Sequence, residues 1–418
     1  MKYPYRKLVT NSNSLSIAFD KDKLKEVSSS QSAVSHLEVI KNGNIGSSSI
    51  TGTHESGLWE RAQNSAEFGD KVAYLYGAQK KYPKVKLYHP TISRLTPEQL
   101  LVTSRKIIAD IKRLDPNILV SVRCSVGTSQ STLENSSGMK EADISSFMSV
   151  YIEGELITEG DFLTIGDFLA SREPKLDWQS LVATILERFK NSQKMRQIKS
   201  GNYPVIFASE VVSSLVDIID VALSAETVVK KVSRLAGHEG KQVFDSRITL
   251  IDDPGIDFAV GSTRFDDEGL GANPLVLIEK GKLKNFYTDL KNASKLHIAP
   301  NGRGFGFPAS PSLTNIVWEQ GTSSLTKLIK GIKKGILVDQ VVGAGQDSPY
   351  SGDFSFNVHL GFLIENGAIV GRIKNALVAG NAFDLCKNQL GDLSSERKWV
   401  GSALVPNVLF EDVVVTAG

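Results

Sequence analysis

The 418-residue sequence holds only two cysteines, Cys124 and Cys386, far apart and outside any Cys-x-x-Cys pair. This excludes a disulfide framework and a cysteine-based zinc site, and it points to the reducing cytoplasm. No stretch approaches the ~18 consecutive apolar residues of a membrane span. Met1 to Lys7 is basic but leads into no apolar run, so it does not read as a secretory signal. A dominant charge is missing as well: 48 Lys and Arg offset 46 Asp and Glu, for a net charge of +2. A nucleic-acid footprint concentrates Lys and Arg on one face, so neither nucleic acid nor membrane is expected as a partner.

What is present fits a soluble globular protein, with 41% hydrophobic and 22% charged residues. The length exceeds what one core usually serves, so two domains are expected. Leu15 to Ile50 reads as strands: Leu15, Ile17 and Phe19 alternate, Val34 to Ile40 does so less cleanly, and Asn42-Gly43 marks a hairpin turn before Ile45. Leu58, Ala62 and Ala66 space a helix over Glu55 to Phe68, and Gly77 to Pro90 looks like a connector. Thr96, Pro97 and Gln99 make a helix start with a capping box, carrying Leu100, Ile107, Ile111 and Leu114 along one side. Strands follow at Ile118 to Cys124 and Phe147 to Glu153 with a turn at Asn135 to Gly138, then a helix over Asp177 to Phe189.

The polar stretch Lys190 to Asn202 is the expected boundary. It separates an N-terminal α+β domain (1–195), a two-layer sandwich of one sheet with helices on one face, from a β-rich C-terminal domain (203–418). The second domain opens on a strand at Tyr203 to Phe207 and an apolar helix over Glu210 to Leu223. Leu277 to Gly281 and Leu363 to Gly367 form two similar hairpins, which turn chemistry alone can produce independently.

Chemistry-bearing residues are scattered. Asp252, Asp253, Asp266, Asp267, Glu268 and Asp353 sit at turns, where a carboxylate can cap backbone amides, hold a hard cation or receive a peptide's amino group. Capping suits most of them. Asn301 to Phe307 is rich in glycine but lacks the Lys-Ser/Thr of a phosphate loop; Arg303 with Phe305 and Phe307 either faces a peptide groove or belongs to a plain connector. His238-Glu239 lies between glycines with no second His at helical spacing, which leaves it a weak metal candidate. The other five histidines are isolated. Asp217 and Asp220 share a helix face but make a poor zinc site without an imidazole.

Taken in order, Arg247 to Gly269, Leu277 to Gly281, Gly352 to Ser355 and Ala379 to Asn381 resemble the TldD/PmbA family, once called modulators of DNA gyrase. The resemblance runs from about Val34 to the C-terminus and is dense from Tyr203. It implies an α+β domain followed by a β-rich domain, in dimers enclosing a cleft. In the family, zinc-bearing TldD-type subunits cleave peptides through a His-Glu-x-x-x-His helix, and PmbA-type subunits lacking that motif pair with them. The corresponding stretch here, Ser213 to Ala222, has no His, and Arg397 to Gly401 replaces the family's late cysteine ligand. The resemblance therefore implies a PmbA-type chain with no cofactor of its own and no catalytic residue, zinc residing in a TldD-type partner. The partner is that homologue or a second copy of the chain. Arg303, Asp253, Asp266, Glu268, Asp353 and Asn381 become candidates for the substrate cleft. Two other readings stay open: a homodimeric peptide-binding scaffold, and a hydrolase with a non-standard metal site. The sequence departs from the family pattern in lacking the usual leading helix before its first strand.

Overall fold

The computed structural model describes residues 3–343, 348 and 350–418. The chain opens on strands β1 (Tyr5–Asp20), β2 (Lys23–Lys41) and β3 (Asn44–Thr51), then helices α1 (Leu58–Ser65) and α2 (Pro97–Lys112). Strands β4 (Leu119–Asn135), β5 (Lys140–Thr158) and β6 (Asp161–Ser171) complete a sheet ordered β3-β2-β1-β4-β5-β6, antiparallel throughout. Next come α3 (Trp178–Asn191), β7 (Met195–Arg196), β8 (Gly201–Phe207), α4 (Ser209–Leu223) and α5 (Ala225–Val229). Short pieces follow: β9 (Leu250–Asp252), β10 (Leu275–Glu279), β11 (Lys282–Leu283), α6 (Leu290–Leu296), β12 (Gly304–Phe305), β13 (Ser310–Pro311), β14 (Ile316–Trp318) and α7 (Leu325–Gly331). The chain ends with β15 (Lys334–Val342), β16 (Asp353–Glu365), β17 (Ala368–Ile373), β18 (Ala376–Asn381), α8 (Ala382–Asn388), β19 (Leu390–Val400) and β20 (Ala403–Ala417). The fold is α+β.

By compactness the chain forms two units, and the division is not a single cut. The first takes residues 1–182 together with 253–274 and 287–315; the second takes 183–252, 275–286 and 316–418. Two excursions of the later chain thus return to the first unit.

In the first unit, α1 and α2 cover one face of the six-stranded sheet. Ile17, Leu37, Val39, Val122, Cys124, Val150 and Ile152 are buried, as are Leu58, Leu100, Ile107 and Ile111 of the helices. Gly46 on β3 lets α1 approach closely, since a Cβ there would lie 2.3 Å from the Ala62 carbonyl oxygen. The α2 capping box forms as its sequence predicts, with Thr96 accepting from the Gln99 amide and Gln99 accepting from the Thr96 amide. Leu114 lies past the end of α2 and is 42% exposed, so the apolar side stops one turn early. On the opposite face Ser12, Ser14 and Ser16 pair across the sheet with Ser32, Ser30 and Ser28, and because Asn11, Asn13 and Gln31 lie between them both faces are polar there and alternation is faint.

In the second unit, twelve strands among the described residues form one mixed sheet. Strand β20 is its spine, bonded to β8, β14, β18 and β19, with Val405, Val408, Phe410, Val413 and Val415 buried. Helix α4 packs over β20 and β15 and buries Val211, Val212, Leu215, Val216, Ile218 and Ile219, as a helix apolar over most of its surface must. The two predicted hairpin turns form with left-handed residues at Lys280-Gly281 and Asn366-Gly367. No helix among the described residues is long and apolar enough to cross a membrane.

Candidate functional site

The first unit contains a dense, buried ionic group. Arg6, near the start of β1, is fully buried and forks onto the equally buried Glu38 of β2, with Nε–Oε1 at 2.7 Å and Nη2–Oε2 at 2.9 Å. It also donates to the carbonyls of Asp267 (2.9 Å) and Gly306 (2.8 Å), and its guanidinium lies 4.0 Å from the centre of the Phe307 ring. Tyr76 donates its hydroxyl to Glu38 Oε1 at 3.1 Å. Burial alone would lower the Arg6 pKa, but the charge and hydrogen bonds of Glu38 reverse this and hold it above its ordinary value.

Three consecutive acids turn around this pair. Asp266 is fully buried; its Oδ1 accepts from the amides of Glu268 (3.1 Å) and Leu270 (2.8 Å), and its Oδ2 from that of Gly304 (3.0 Å). Burial pushes its carboxyl up to about 7 despite these donors. Asp267 accepts from the Gly306 amide at 2.8 Å, and burial raises it too. Glu268 Oε2 takes the Leu290 amide at 2.7 Å, while its buried Oε1 has no hydrogen-bond partner among the described residues. Burial, then the charge of Asp266, lifts Glu268 well above the usual carboxylate range. Gly304 makes room for it, since a Cβ at that position would fall 2.0 Å from Glu268 Oε2.

Arg303, expected on a substrate-facing loop, is fully buried. Its guanidinium donates to the carbonyls of Asn301 (2.9 Å), Gly302 (3.0 Å) and Asn273 (2.7 Å), so in this conformation it presents no charge to solvent. The glycines around it serve chain packing. Asp253 makes a turn: Oδ1 accepts from the Gly255 amide at 2.8 Å, and Asn315 bonds its backbone. Asp253, Asp266, Glu268 and Arg303 all belong to the first unit.

Asp353 and Asn381 belong to the second unit, where they meet. Asn381 caps α8 by accepting from the amides of Phe383 (3.1 Å) and Asp384 (3.3 Å), and it donates Nδ2 to Asp353 Oδ1 at 2.8 Å. Those bonds, first from Asn381 and then from Ser351, hold Asp353 below its ordinary value. His238 and Glu239 are exposed, and the His238 ring lies 3.1 Å from the Ala236 carbonyl, part of its own turn.

Helix α4 starts beside a second ionic group that sequence reasoning missed. Arg188 forks onto buried Asp339 (2.5 and 3.0 Å) and reaches Glu210 in the first turn of α4 at 3.2 Å. Lys398 and Gln340 also bind Glu210, at 2.8 and 3.1 Å. Burial works against the Glu210 charge, but Arg188 and Lys398 keep its pKa below the ordinary value. The helix is thereby clamped at its N-terminus. Its polar positions, Ser213, Ser214, Asp217 and Asp220, offer hydroxyls and carboxylates without imidazole or thiolate, which does not fit zinc. Among the described residues no three His, Cys, Asp or Glu side chains are grouped to hold a metal ion.

Residues 200–417 match the family described as the PmbA/TldA metallopeptidase C-terminal domain. The chain belongs to the PmbA/TldD family. An uncharacterised protein of Methanocaldococcus jannaschii is 27% identical over 405 residues, 94% of this chain and 92% of that one. A protein of Buchnera aphidicola named a metalloprotease TldD homologue is 31% identical over 230 residues, 53% of this chain. The match spans about half the length of that relative, 47%. The crystal structure of TldE from Thermococcus kodakarensis shares the fold, with a TM-score of 0.91 at 24% identity over 99% of this chain and 97% of the other. A Thermotoga maritima structure described as that of a proposed modulator of a DNA gyrase shares it too, at a TM-score of 0.91 and 22% identity over 99% of this chain and 96% of that one.

Proposed function

We propose that the chain is the zinc-less, PmbA-type subunit of a TldD/PmbA-type metallopeptidase system acting on unfolded or small peptides. Its role is to shape the substrate cleft, while zinc resides in a TldD-type partner. The observation that carries this reading is the composition of α4. The helix follows the opening strand of the second domain, as the family's zinc helix does, yet it carries serines and aspartates in place of a His-Glu-x-x-x-His face. Metalloprotease names among the relatives supply the reaction class. What this chain's own residues do is hold backbone: the Arg6 and Asp266–Glu268 group fixes the 301–307 loop, and the Arg188–Glu210–Asp339 group fixes α4. Rigid walls of this kind position an extended peptide without reading its sequence.

Co-expression with a zinc-bearing homologue tests the proposal. The chain alone is expected to carry well under one zinc by elemental analysis and to cleave no peptide. Together the two are expected to sediment as a heterodimer burying on the order of 2,000 Å² or more and to cleave unfolded peptides. One tightly held zinc in the isolated chain, or a monomer indifferent to the homologue, would sink the subunit reading.

A further inference from the structure

The first unit carries a cavity of about 410 Å³ lined by Asn42, Gly43, Lys71, Val72, Ala73, Tyr74, Lys291, Ser294 and Lys295. That volume lies within the range of about 300–1,000 Å³ typical of small-ligand sites. The walls are built from three places. One is the β2–β3 turn, where Asn42 and Gly43 both take positive φ. The second is the segment behind it, tied to the turn by bonds from the Val72 amide to Gly43 (2.8 Å) and from the Ile45 amide to Asp70 (3.0 Å). The third is one side of α6, where Lys291, Ser294 and Lys295 recur at helical spacing.

The charge on these walls is unbalanced. Lys291 is paired with Asp70 at 2.5 Å, and its hydrogen bond holds the Asp70 carboxyl below its usual range. Lys71 and Lys295 are exposed and make no direct ion pair among the described residues, although the Lys295 charge also helps to lower Asp70, so three lysines stand here against one carboxylate. Val72, Ala73 and the Tyr74 ring give it apolar surface beside those charges. Burial, then the charges of Glu38 and Glu268, raises the Tyr74 phenol above its ordinary value.

We infer that this cavity binds the free C-terminal carboxylate of a short peptide, with the ammonium groups of Lys71 and Lys295 taking the two oxygens and Val72, Ala73 and Tyr74 receiving the last side chain. The inference rests on the peptide-handling reading above and adds an end-recognising subsite to it. A carboxylate fits because two point charges on flexible stems can meet one oxygen each, and because an apolar wall beside them suits a ligand that is more than a bare ion.

The test uses the full chain and an N-terminally fluorescein-labelled heptapeptide, prepared once with a free C-terminus and once as its C-terminal amide. Anisotropy is expected to show the acid bound about tenfold more tightly, a difference of about 1.4 kcal/mol. Lys71→Gln with Lys295→Gln should abolish that preference, so that acid and amide bind alike. A control with the same charge change outside the cavity, Lys80→Gln with Lys81→Gln, should keep it. Equal binding of acid and amide by the wild type, or a preference that survives in the cavity variant, overturns the carboxylate site while the peptide reading stands. Inorganic phosphate bound through Lys71 and Lys295 without any acid preference would assign the cavity to a free oxyanion and overturn it as well. Failure of either peptide to bind, with or without a zinc-bearing homologue, brings down both proposals together.

Discussion

Arg6 and Glu38 hold each other through two parallel hydrogen bonds, at 2.7 and 2.9 Å, with neither side chain reaching solvent. Both are strand residues, and their charges are matched by each other, by two backbone carbonyls and by a tyrosine hydroxyl. Removing one partner strands the other charge in the interior. Glu38→Ala is therefore expected to cost about 3–5 kcal/mol of stability, read as a lower denaturant midpoint. A loss within ~0.5 kcal/mol, the range of ordinary surface changes, would show that water reaches the pair.

Glu268 gives a pH-dependent prediction. Its folded pKa lies well above the ordinary value of 4.5, so the folded state binds the proton more tightly than the unfolded chain. The slope of stability against pH is then negative: as pH rises above about 4.5 the unfolded chain ionises freely, whereas the folded one must keep the proton or bury a charge. Glu268→Gln removes this titration. Relative to the wild type it should be close to neutral at pH 4.5 and stabilising at pH 8, with the gain appearing progressively between them. A difference between the two proteins that does not change with pH would contradict the assignment.

Gly304 and Glu268 form a steric pair that a double-mutant cycle can isolate. Gly304→Ala places a methyl where Glu268 Oε2 now stands, and Glu268 is held by the Leu290 amide. Overpacking of this kind costs about 1–3 kcal/mol or more. Adding Glu268→Ala should recover a large part of that loss, because the obstructing carboxyl is gone. Strict additivity of the two changes in chemical unfolding would mean that the loop moves aside.

Arg303→Ala separates a structural role from a substrate-facing one. A loop that merely contacts substrate would tolerate the change with its melting temperature intact. Full burial and three carbonyl acceptors lead instead to a marked fall in thermal stability, with the carbonyls of Asn273, Asn301 and Gly302 losing their donor. Peptide cleavage by the assembled complex at a temperature below that transition should fall in proportion to the folded fraction and no further.

Features whose cause is local were legible in the sequence. The Thr96 capping box, the Asn42-Gly43 and Asn366-Gly367 turns and the apolar spacing of Leu58 and Ala62 depend on residues within a few positions of one another, and each forms. Strand β6 went unseen because Phe162 and Phe168 on its exposed face blur the alternation set by Leu163 and Ile165, and β1 and β4 extend far beyond their apolar cores because both of their faces turn polar over Thr10 to Ser14 and Gly127 to Thr132. At the candidate site, Asp266 and Glu268 were named from a turn motif, but their burial was not. It is set by Gly304, Leu290 and Arg6, which lie elsewhere in the chain. Arg6 itself read as part of a basic N-terminal stretch; nothing within ten residues of it signals an interior ion pair. The cationic cavity was hidden for the same reason, since Lys71 meets Lys291 and Lys295 only in the folded unit.

The return of residues 253–274 and 287–315 to the first unit bears on how the protein is made. Arg6 is synthesised long before two of its acceptors, the carbonyls of Asp267 and Gly306. At about 5–20 residues per second, synthesis of the chain from 182 to 306 takes on the order of ten seconds. Throughout that interval the nascent sheet stands with its ionic centre half-assembled and with the groups that will enclose it still untranslated. A chain that ends before Gly306 lacks one of the carbonyls that Arg6 needs, and so cannot complete this ionic centre.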